Sequence, residues 1–315
     1  EFDFIYPEEP IMLPGDNPIK NDIDVKSLEE AAKLIANAER PVILAGHGIL
    51  LSGASKEVIE LSEKGDIPLS WTLLGSGAVP ASHDLNMGMM GMHGEFAANN
   101  AIQKADLLIA CGMRFDDRVT GNTKTYSLNS KKIHIEIDPS EINKNVPVDI
   151  ALVGDLKTVL RKLLPVLDKQ SNSEWIDSIS KWHKESQSRD IINMDTQMLY
   201  GAQVISDIWK ETNGDAIVVS DVGQHQMLEA QYYKHDEPNT LLTSGGLGTM
   251  GFSLPAAIGA SFSNRDKDIW VIVGDGSIQM TITELATAVQ ENANIKIAII
   301  NNGYLGMVRQ WQELF

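Results

Sequence analysis

Asp275 stands between Gly274 and Gly276 directly after the apolar run Ile269 to Val273, and Asn301 and Asn302 close the next apolar run, Ile295 to Ile300. A carboxylate and an amide oxygen are hard ligands suited to a small divalent cation such as Mg2+, which keeps several waters and takes further ligands from a phosphate. For these two side chains to meet, the chain between them must form a strand, a crossover and a second strand. Ile269 to Val273 reads as a buried strand by its length and β-branching. Ile282, Leu285, Ala286 and Val289 sit at helical spacing within Thr281 to Glu291, and Ile295 to Ile300 reads as the next strand. Gly274 and Gly276 permit a tight turn that presents Asp275 at the carboxyl edge of the sheet, and a right-handed crossover delivers Asn302 beside it. A GDG turn alone is more often structural. Strand, GDG, helix, strand and NN in succession point to a metal–diphosphate site.

The rest of the composition bounds what can surround that site. With 315 residues and 43% hydrophobic content the chain can bury two cores. A net charge of -17 argues against nucleic acid as a partner, because phosphate-backbone binding needs clustered Lys and Arg. The lone Cys111 excludes a disulfide framework and suits a reducing compartment. No stretch approaches the roughly 18 apolar residues that span a bilayer. These features are expected of a cytoplasmic protein without membrane or nucleic-acid partners, an organelle being the alternative compartment. A start at Glu1 without Met and a stop at Phe315, inside a helix expected from about Met307, lead to the expectation of a piece of a longer polypeptide.

Residues 1–24, bearing Pro7, Pro10, Pro14 and Pro18, are expected as an extended arm. Residues 25–167 read as an α/β domain with helix Leu28 to Ala38, strand Pro41 to Ala45, helix Ser55 to Lys64 and strand Ile67 to Thr72. Helix Ala97 to Lys104, strands Asp106 to Cys111, Lys132 to Ile137 and Ile150 to Val153, and helix Leu156 to Leu167 complete it. The polar stretch 168–196 reads as a connection, partly helical around Trp175 to Glu185. Residues 197–315 read as a second α/β domain, with helix Met198 to Trp209, strand Ala216 to Ser220, a loop Asp221 to Gln226, a helix from Met227 and strand Thr240 to Thr243. A glycine-rich loop Ser244 to Gly251 and a helix Leu254 to Ser261 precede the GDG motif. Strands alternating with helices predict the α/β class, as two doubly wound parallel-sheet domains, flavodoxin- or Rossmann-like three-layer sandwiches.

Five further segments share one resemblance: MGMMGMHGEFAANNAI (Met87 to Ile102), RFDDRVTG (Arg114 to Gly121), DVGQHQM (Asp221 to Met227), TSGGLGTMGF (Thr243 to Phe252) and GMVRQWQ (Gly306 to Gln312). With the GDG and NN pattern, the chain resembles the acetohydroxyacid synthases, also called acetolactate synthases, over essentially its whole length. The resemblance implies an FAD-carrying middle domain and most of a thiamine-diphosphate-binding domain of the thiamine-enzyme fold. It implies Mg2+ on Asp275, Asn302 and the Tyr304 carbonyl, with Gly274, Gly276 and Ser277 around the diphosphate at a helix N-terminus. Val222, Gly223, Gln224 and His225 would face thiamine diphosphate, with Met307 near it; Gln226 would be catalytic, as would Met250, wedged beneath the bent cofactor. For FAD it implies Gly46, His47 and Gly48; Thr72, Leu73 and Leu74; Met90, Gly91, Met92 and His93; Arg114, Asp116 and Arg118; Glu136 and Ile137; and Gly154 with Asp155. Arg118 would also grip a keto-acid carboxylate, and Trp311 would shape the acceptor pocket. The chain departs from the family at His47, where many relatives have glycine, and at Trp71, where a smaller residue is common.

The implied activity is decarboxylation of pyruvate on thiamine diphosphate and joining of the two-carbon unit to a second pyruvate or to 2-ketobutyrate, opening branched-chain amino-acid synthesis. FAD would be structural. The resemblance further implies a homodimer or tetramer, a small regulatory subunit, and a proton-relaying glutamate in a preceding domain, reaching across a dimer interface, so that Glu1 to Phe315 alone would be inactive. Taken without the resemblance, the residues leave plainer readings open. Met250 can be packing, His225 a capped loop histidine, Arg118 the partner of Asp116 or Asp117, and Trp311 with Arg309 a surface pair. A pyruvate-oxidase-like flavin enzyme and a non-catalytic nucleotide-binding module are the alternative functions.

Overall fold

The computed structural model describes residues 23–193 and 197–314. The proline-bearing arm expected over residues 1–24 lies, except for its last two residues, outside them.

The first sheet and its helices run α1 (Val25–Asn37), β1 (Pro41–Ala45), α2 (Gly48–Ser52), α3 (Ser55–Gly65), β2 (Leu69–Trp71), β3 (Asn86–Met89), α4 (Phe96–Lys104), β4 (Leu107–Cys111), α5 (Asp117–Thr120), β5 (Lys131–Glu136), β6 (Ile150–Val153), α6 (Leu156–Leu163) and α7 (Ser173–Gln187). Its six strands lie in the order β3-β2-β1-β4-β5-β6 and all pair in parallel. Parallel strands need helical crossovers, and those helices cover both faces. Hence PVILA and LLIAC are buried at every position. Alternate residues divide between two cores. Ile43, Ala45, Ile109 and Cys111 pack with Leu28, Ala31 and Ile35 of α1 and with α3 and α6. Val42, Leu44, Leu108 and Ala110 pack on the other face with Ala97, Ala98 and Ala101 of α4.

Two elements of this unit differ from expectation. The stretch read as a polar connection contains α7, whose Trp175 and Ile179 join the second of those cores. Trp175 Nε1 donates to the Pro41 carbonyl over 3.1 Å, so α7 is a layer of the first unit rather than a bridge in solvent. β3 was not anticipated, because NMGM carries no β-branched residue. It exists through tertiary pairing: it hydrogen-bonds β2 with a shifted register, and Ser70 Oγ donates to the Gly88 carbonyl over 2.7 Å.

The second sheet follows α8 (Gly201–Thr212) and comprises β7 (Ala216–Ser220), α9 (Gln224–Tyr232), β8 (Leu241–Thr243), α10 (Ser253–Ser263), β9 (Asp268–Gly274), α11 (Asp275–Met280), α12 (Glu284–Gln290), β10 (Ile295–Ile300) and α13 (Gly306–Leu314). Its strand order is β10-β9-β7-β8, again parallel. Leu254, Ala257 and Ile258 of α10 cover one face, and Ile205 and Ile208 of α8 with Tyr233 cover the other.

Two expected boundaries are corrected here. The crossover helix expected over Thr281 to Glu291 is replaced by two helices, the first starting at Asp275 itself. The β-branched run Thr281 to Thr283, of low helix propensity, separates them, and Thr281 Oγ1 donates to the Gly251 carbonyl over 3.1 Å, a tertiary bond that ties this break to the glycine-rich loop. The helix expected from Met227 begins at Gln224, so Gln224, His225 and Gln226 form the first turn of α9 rather than a loop.

At the carboxyl ends of β1 and β4 the two turns touch. Gly46 N–H donates to the Cys111 carbonyl over 2.9 Å and Gly48 N–H to the Gly112 carbonyl over 3.0 Å. A Cβ on Gly46 would lie 2.1 Å from the Gly112 carbonyl oxygen, backbone that cannot yield like a side chain. We expect Gly46→Ala to destabilise the protein by about 2 kcal/mol or more, read as a lower urea midpoint with unchanged m-value. A midpoint equal to that of the parent would show that these turns separate freely.

Candidate functional site

In the second sheet β7 leads outward to β8 on one side, while its neighbour β9 leads to β10 on the other. Loops leaving β7 and β9 therefore diverge and open a crevice at their carboxyl ends, where open α/β sheets take ligands. Asp221 to Gln226 leaves one side of this crevice, and Gly274 to Ser277 leaves the other.

Asp221 holds the floor. Fully buried at the end of β7, it accepts from Val222 N–H at 2.8 Å and Gly251 N–H at 2.9 Å through Oδ1. Through Oδ2 it accepts from the Ser253 N–H at 2.8 Å and hydroxyl at 2.7 Å. One carboxylate thus clasps the glycine-rich loop onto the β7 turn. The role of Asp221 is not evident from its motif alone; the available signal is a carboxylate directly after the buried strand AIVVS.

His225 lies between the two turns. A Cβ on Gly223 would fall 2.7 Å from its Cε1, and one on Gly274 would fall 2.9 Å from its Nδ1, so both glycines make room for this imidazole. Burial pushes its pKa down to about 4, against the pull of Asp221 and Asp275. The ring is neutral at pH 7. Its Nε2 is buried without a hydrogen-bond partner among the described residues.

Asp275 and Asn302 are on the same rim of the sheet. Asn302 N–H points to Asp275 Oδ1 over 3.4 Å, and Asn302 Nδ2 to Gln224 Oε1, also over 3.4 Å. Asn302 Oδ1 accepts from Tyr304 N–H at 2.9 Å and keeps a second lone pair. Ser277 Oγ donates to the Val222 carbonyl over 3.1 Å, joining the two turns. Met250 reaches the diphosphate turn, since a Cβ on Gly276 would be 3.9 Å from its Cε. Gln226 Nε2 donates to Thr243 Oγ1 over 2.7 Å, so that side chain is directed to the glycine-rich loop. On α13, Met307 is half-buried and Trp311, one turn on, is 46% exposed. Arg309 lies over the Tyr304 ring at 4.0 Å and pairs with Glu313 at 2.6 Å.

The first unit gathers its implied residues along the carboxyl edge of its sheet, with mixed roles. Gly46 and Gly48 serve the contact with Gly112 described above. His47 bonds the Leu74 carbonyl through Nδ1 at 2.9 Å, and Trp71 is absorbed into the core. Met92 N–H donates to the Arg118 carbonyl over 2.8 Å, bringing the Met90 to His93 and Arg114 to Arg118 loops together. Gly91, at φ +96, faces that same carbonyl and leaves no space for a Cβ. Arg118 itself is exposed and stands 4.0 Å from Asp117, whereas Asp116 caps α5 by accepting from Arg118 N–H. Arg114 is exposed. Glu136 is buried and accepts from Ile137 N–H at 2.9 Å, while Gly154 N–H donates to the Glu136 carbonyl at 2.9 Å. Asp155 caps α6, accepting from Thr158 N–H at 2.9 Å and its hydroxyl at 2.8 Å. Between the units a cavity of about 340 Å³ is lined by His47, Leu73 and Leu74 on one side and by Ser244, Gly245 and Phe252 on the other. Sequence reasoning had assigned no ligand to those last three.

The donor set fits the implied groups. Among the described residues no cluster of three or more His, Cys, Asp or Glu side chains is placed to hold a metal. One carboxylate and one amide oxygen are instead the sparse set expected where a phosphate supplies the remaining oxygens. Gly276 and Ser277 lie in the first turn of α11, whose amides have no intrahelical acceptor. At the first unit, His93 Nε2, in the loop where flavin is implied, is buried without a partner among the described residues, next in sequence to the exposed Met92.

Comparison with known proteins agrees with this division. Residues 28–163 match the family model "Thiamine pyrophosphate enzyme, central domain", and residues 221–315 match "Thiamine pyrophosphate enzyme, C-terminal TPP binding domain". The chain is 45% identical to the acetolactate synthase large subunit of Corynebacterium glutamicum, an alignment covering 100% of this chain and 51% of the relative. It is 41% identical to the acetolactate synthase isozyme 3 large subunit of Escherichia coli, over 91% of this chain and 51% of that one. Against a probable acetolactate synthase large subunit of Methanococcus aeolicus it is 43% identical, over 92% and 51%. The chain spans about half the length of the curated relatives it matches. With the first matched region carrying the six-stranded sheet and the second carrying the loops that line the crevice, the chain belongs to the thiamine pyrophosphate enzymes, as a homologue of the acetolactate synthase large subunits.

Proposed function

We propose that this chain carries the thiamine diphosphate and flavin sites of an acetolactate synthase, which decarboxylates pyruvate and joins the two-carbon unit to a second 2-keto acid, pyruvate or 2-ketobutyrate. The observation that carries the reading is the placement of Asp275 and Asn302 on one rim of the crevice between β7 and β9. The named relatives support the reaction and, through the words "large subunit", a smaller regulatory partner. Their bacterial and archaeal sources support a cytoplasmic site of action.

Thiamine diphosphate, when bound, supplies the electron sink for decarboxylation. Asp275 and Asn302, with the Tyr304 carbonyl, would hold Mg2+ against the diphosphate, and the Gly276 and Ser277 amides would grip its oxygens. Gln224, tied to Asn302, would keep that amide turned to the metal. Neutral His225 fills the floor between the turns and offers Nε2 without adding positive charge. Val222 and Gly223 close the turn beside it, and Met250 over Gly276 would support the ring system. FAD would lie along the loops after β1 to β6 in a structural role, since carboligation moves no net electrons. Arg118, exposed and only loosely paired, is available to a substrate carboxylate.

Calorimetric titration of the chain with Mg2+ and thiamine diphosphate is expected to show Mg2+-dependent binding. Asp275→Ala should weaken it by about 2–5 kcal/mol, the cost of removing one partner of a close charge pair, roughly 30-fold or more. Equal affinity in the variant would remove the metal assignment.

The lowered pKa of His225 sets a pH dependence. Its folded value of about 4 lies below the ordinary 6.5, so between these limits the unfolded chain binds more protons and stability falls as pH falls. From pH 7 to pH 5 this one group accounts for about 2 kcal/mol. Burial lowers His93, His134 and His183 in the same direction, so the total slope is steeper. His225→Gln is expected to flatten the profile of urea-unfolding free energy against pH over this range; a parallel profile would show that the imidazole is not buried neutral.

In the intact protein, Trp311→Leu is expected to shift the ratio of products formed from competing pyruvate and 2-ketobutyrate by about 5-fold or more, a methylene in a pocket being worth about 1–3 kcal/mol. An unchanged ratio would place Trp311 outside the acceptor pocket.

A further inference from the structure

α9 is only nine residues long, and its buried positions are His225, Gln226, Glu229 and Ala230. Three of the four are polar. An apolar stripe tolerates small shifts, but hydrogen bonds fix distance and direction, so this helix is located by its polar partners. Those partners lie in both units. At its first turn Gln224 meets Asn302 of the metal site and Gln226 meets Thr243. At its last turn Gln231 Nε2 donates to the His93 carbonyl over 2.7 Å, in the loop after β3.

A second bridge starts from the middle of the helix. Glu229, with no solvent exposure, stands 2.7 Å through Oε1 from His235 Nε2, and His235 Nδ1 is 2.8 Å from Thr240 Oγ1 at the start of β8. The same His235 accepts at its carbonyl from Ala81 N–H at 3.1 Å, and Asp236 Oδ1 accepts from Ser82 N–H at 2.8 Å. Gly77 packs so closely on Glu237 that a Cβ would be 2.5 Å from its carbonyl oxygen. Ala81 and Ser82 belong to the connection from β2 to β3, which begins at the Thr72 to Leu74 turn.

We propose that α9 is the coupling element between the two cofactor sites, with Glu229 and His235 as its positioning residues. Ordering the loops after β2 and β3 by flavin fixes α9, so the metal–diphosphate site needs less ordering when its own ligand arrives, and the reverse holds equally. The inference rests on the cofactor assignment above.

The test measures calorimetric affinity of the protein for thiamine diphosphate with Mg2+, without and with saturating FAD, and for FAD without and with thiamine diphosphate. The expected result is about 5-fold or greater tightening, by the same factor in both directions, with slower amide hydrogen exchange over residues 224–232 on adding FAD alone. Gln231→Ala, which removes only the bond to His93, should lower the factor measurably while changing each separate affinity little. Glu229→Gln should lower both the coupling and the FAD-induced protection of α9; if that variant does not fold, Gln231→Ala decides. Binding of both cofactors with no mutual effect, or coupling untouched in Gln231→Ala, overturns the inference and leaves the functional reading standing. Failure of either cofactor to bind overturns that reading, and the inference with it.

Discussion

Asp221 is the contact on which the rest of the crevice depends. A carboxylate with no solvent contact is tolerated only when hydrogen bonds replace its hydration, and four donors do so here. Those donors come from the turn after β7 and from the far end of the glycine-rich loop. The carboxylate therefore sets where the loop can lie, where α10 begins, and how far Met250 reaches over Gly276.

The first unit solves the same geometric problem differently. At its switch point, between β1 and β4, the floor is made of backbone. Gly46 and Gly48 press on Gly112, and no side chain comes between them. Gly46 and Gly48 thus serve the contact of one turn with another, while the ring of His47 between them turns aside to the Leu74 carbonyl. The cavity between the units is then bounded by His47 and Leu74 on one side and the glycine-rich loop on the other. Asp221 and the Gly46–Gly112 contact together decide its shape.

The two units also meet through polar groups. Tyr232 OH donates to Asp190 over 2.8 Å, and burial with the nearby Asp190 raises the Glu95 pKa, so two carboxylates from different segments crowd the last turn of α9. Directional contacts of this kind fix the helix more narrowly than apolar packing would. The position of the first turn of α9, and of Gln224 and His225 on it, is consequently set from both ends.

The sequence by itself determined the parallel α/β class and the pairing of Asp275 with Asn302. Wholly apolar strand runs such as PVILA and IWVIV admit only a sheet covered on both faces, and a right-handed crossover can return the chain to only one place beside GDG. Only the tertiary structure decided the elements whose local sequence opposes or hides them. β3 forms from Gly and Met because β2 offers it a ladder, α7 belongs to the first core because Trp175 finds the Pro41 carbonyl, and the first turn of α9 holds Gln224 and Gln226 against Asn302 and Thr243, partners distant in sequence. The division has one physical cause. Periodicity and turn chemistry act between residues close along the chain, whereas a buried hydrogen bond such as Asp221 to Ser253 or Trp175 to Pro41 exists only after the fold has brought its two ends together.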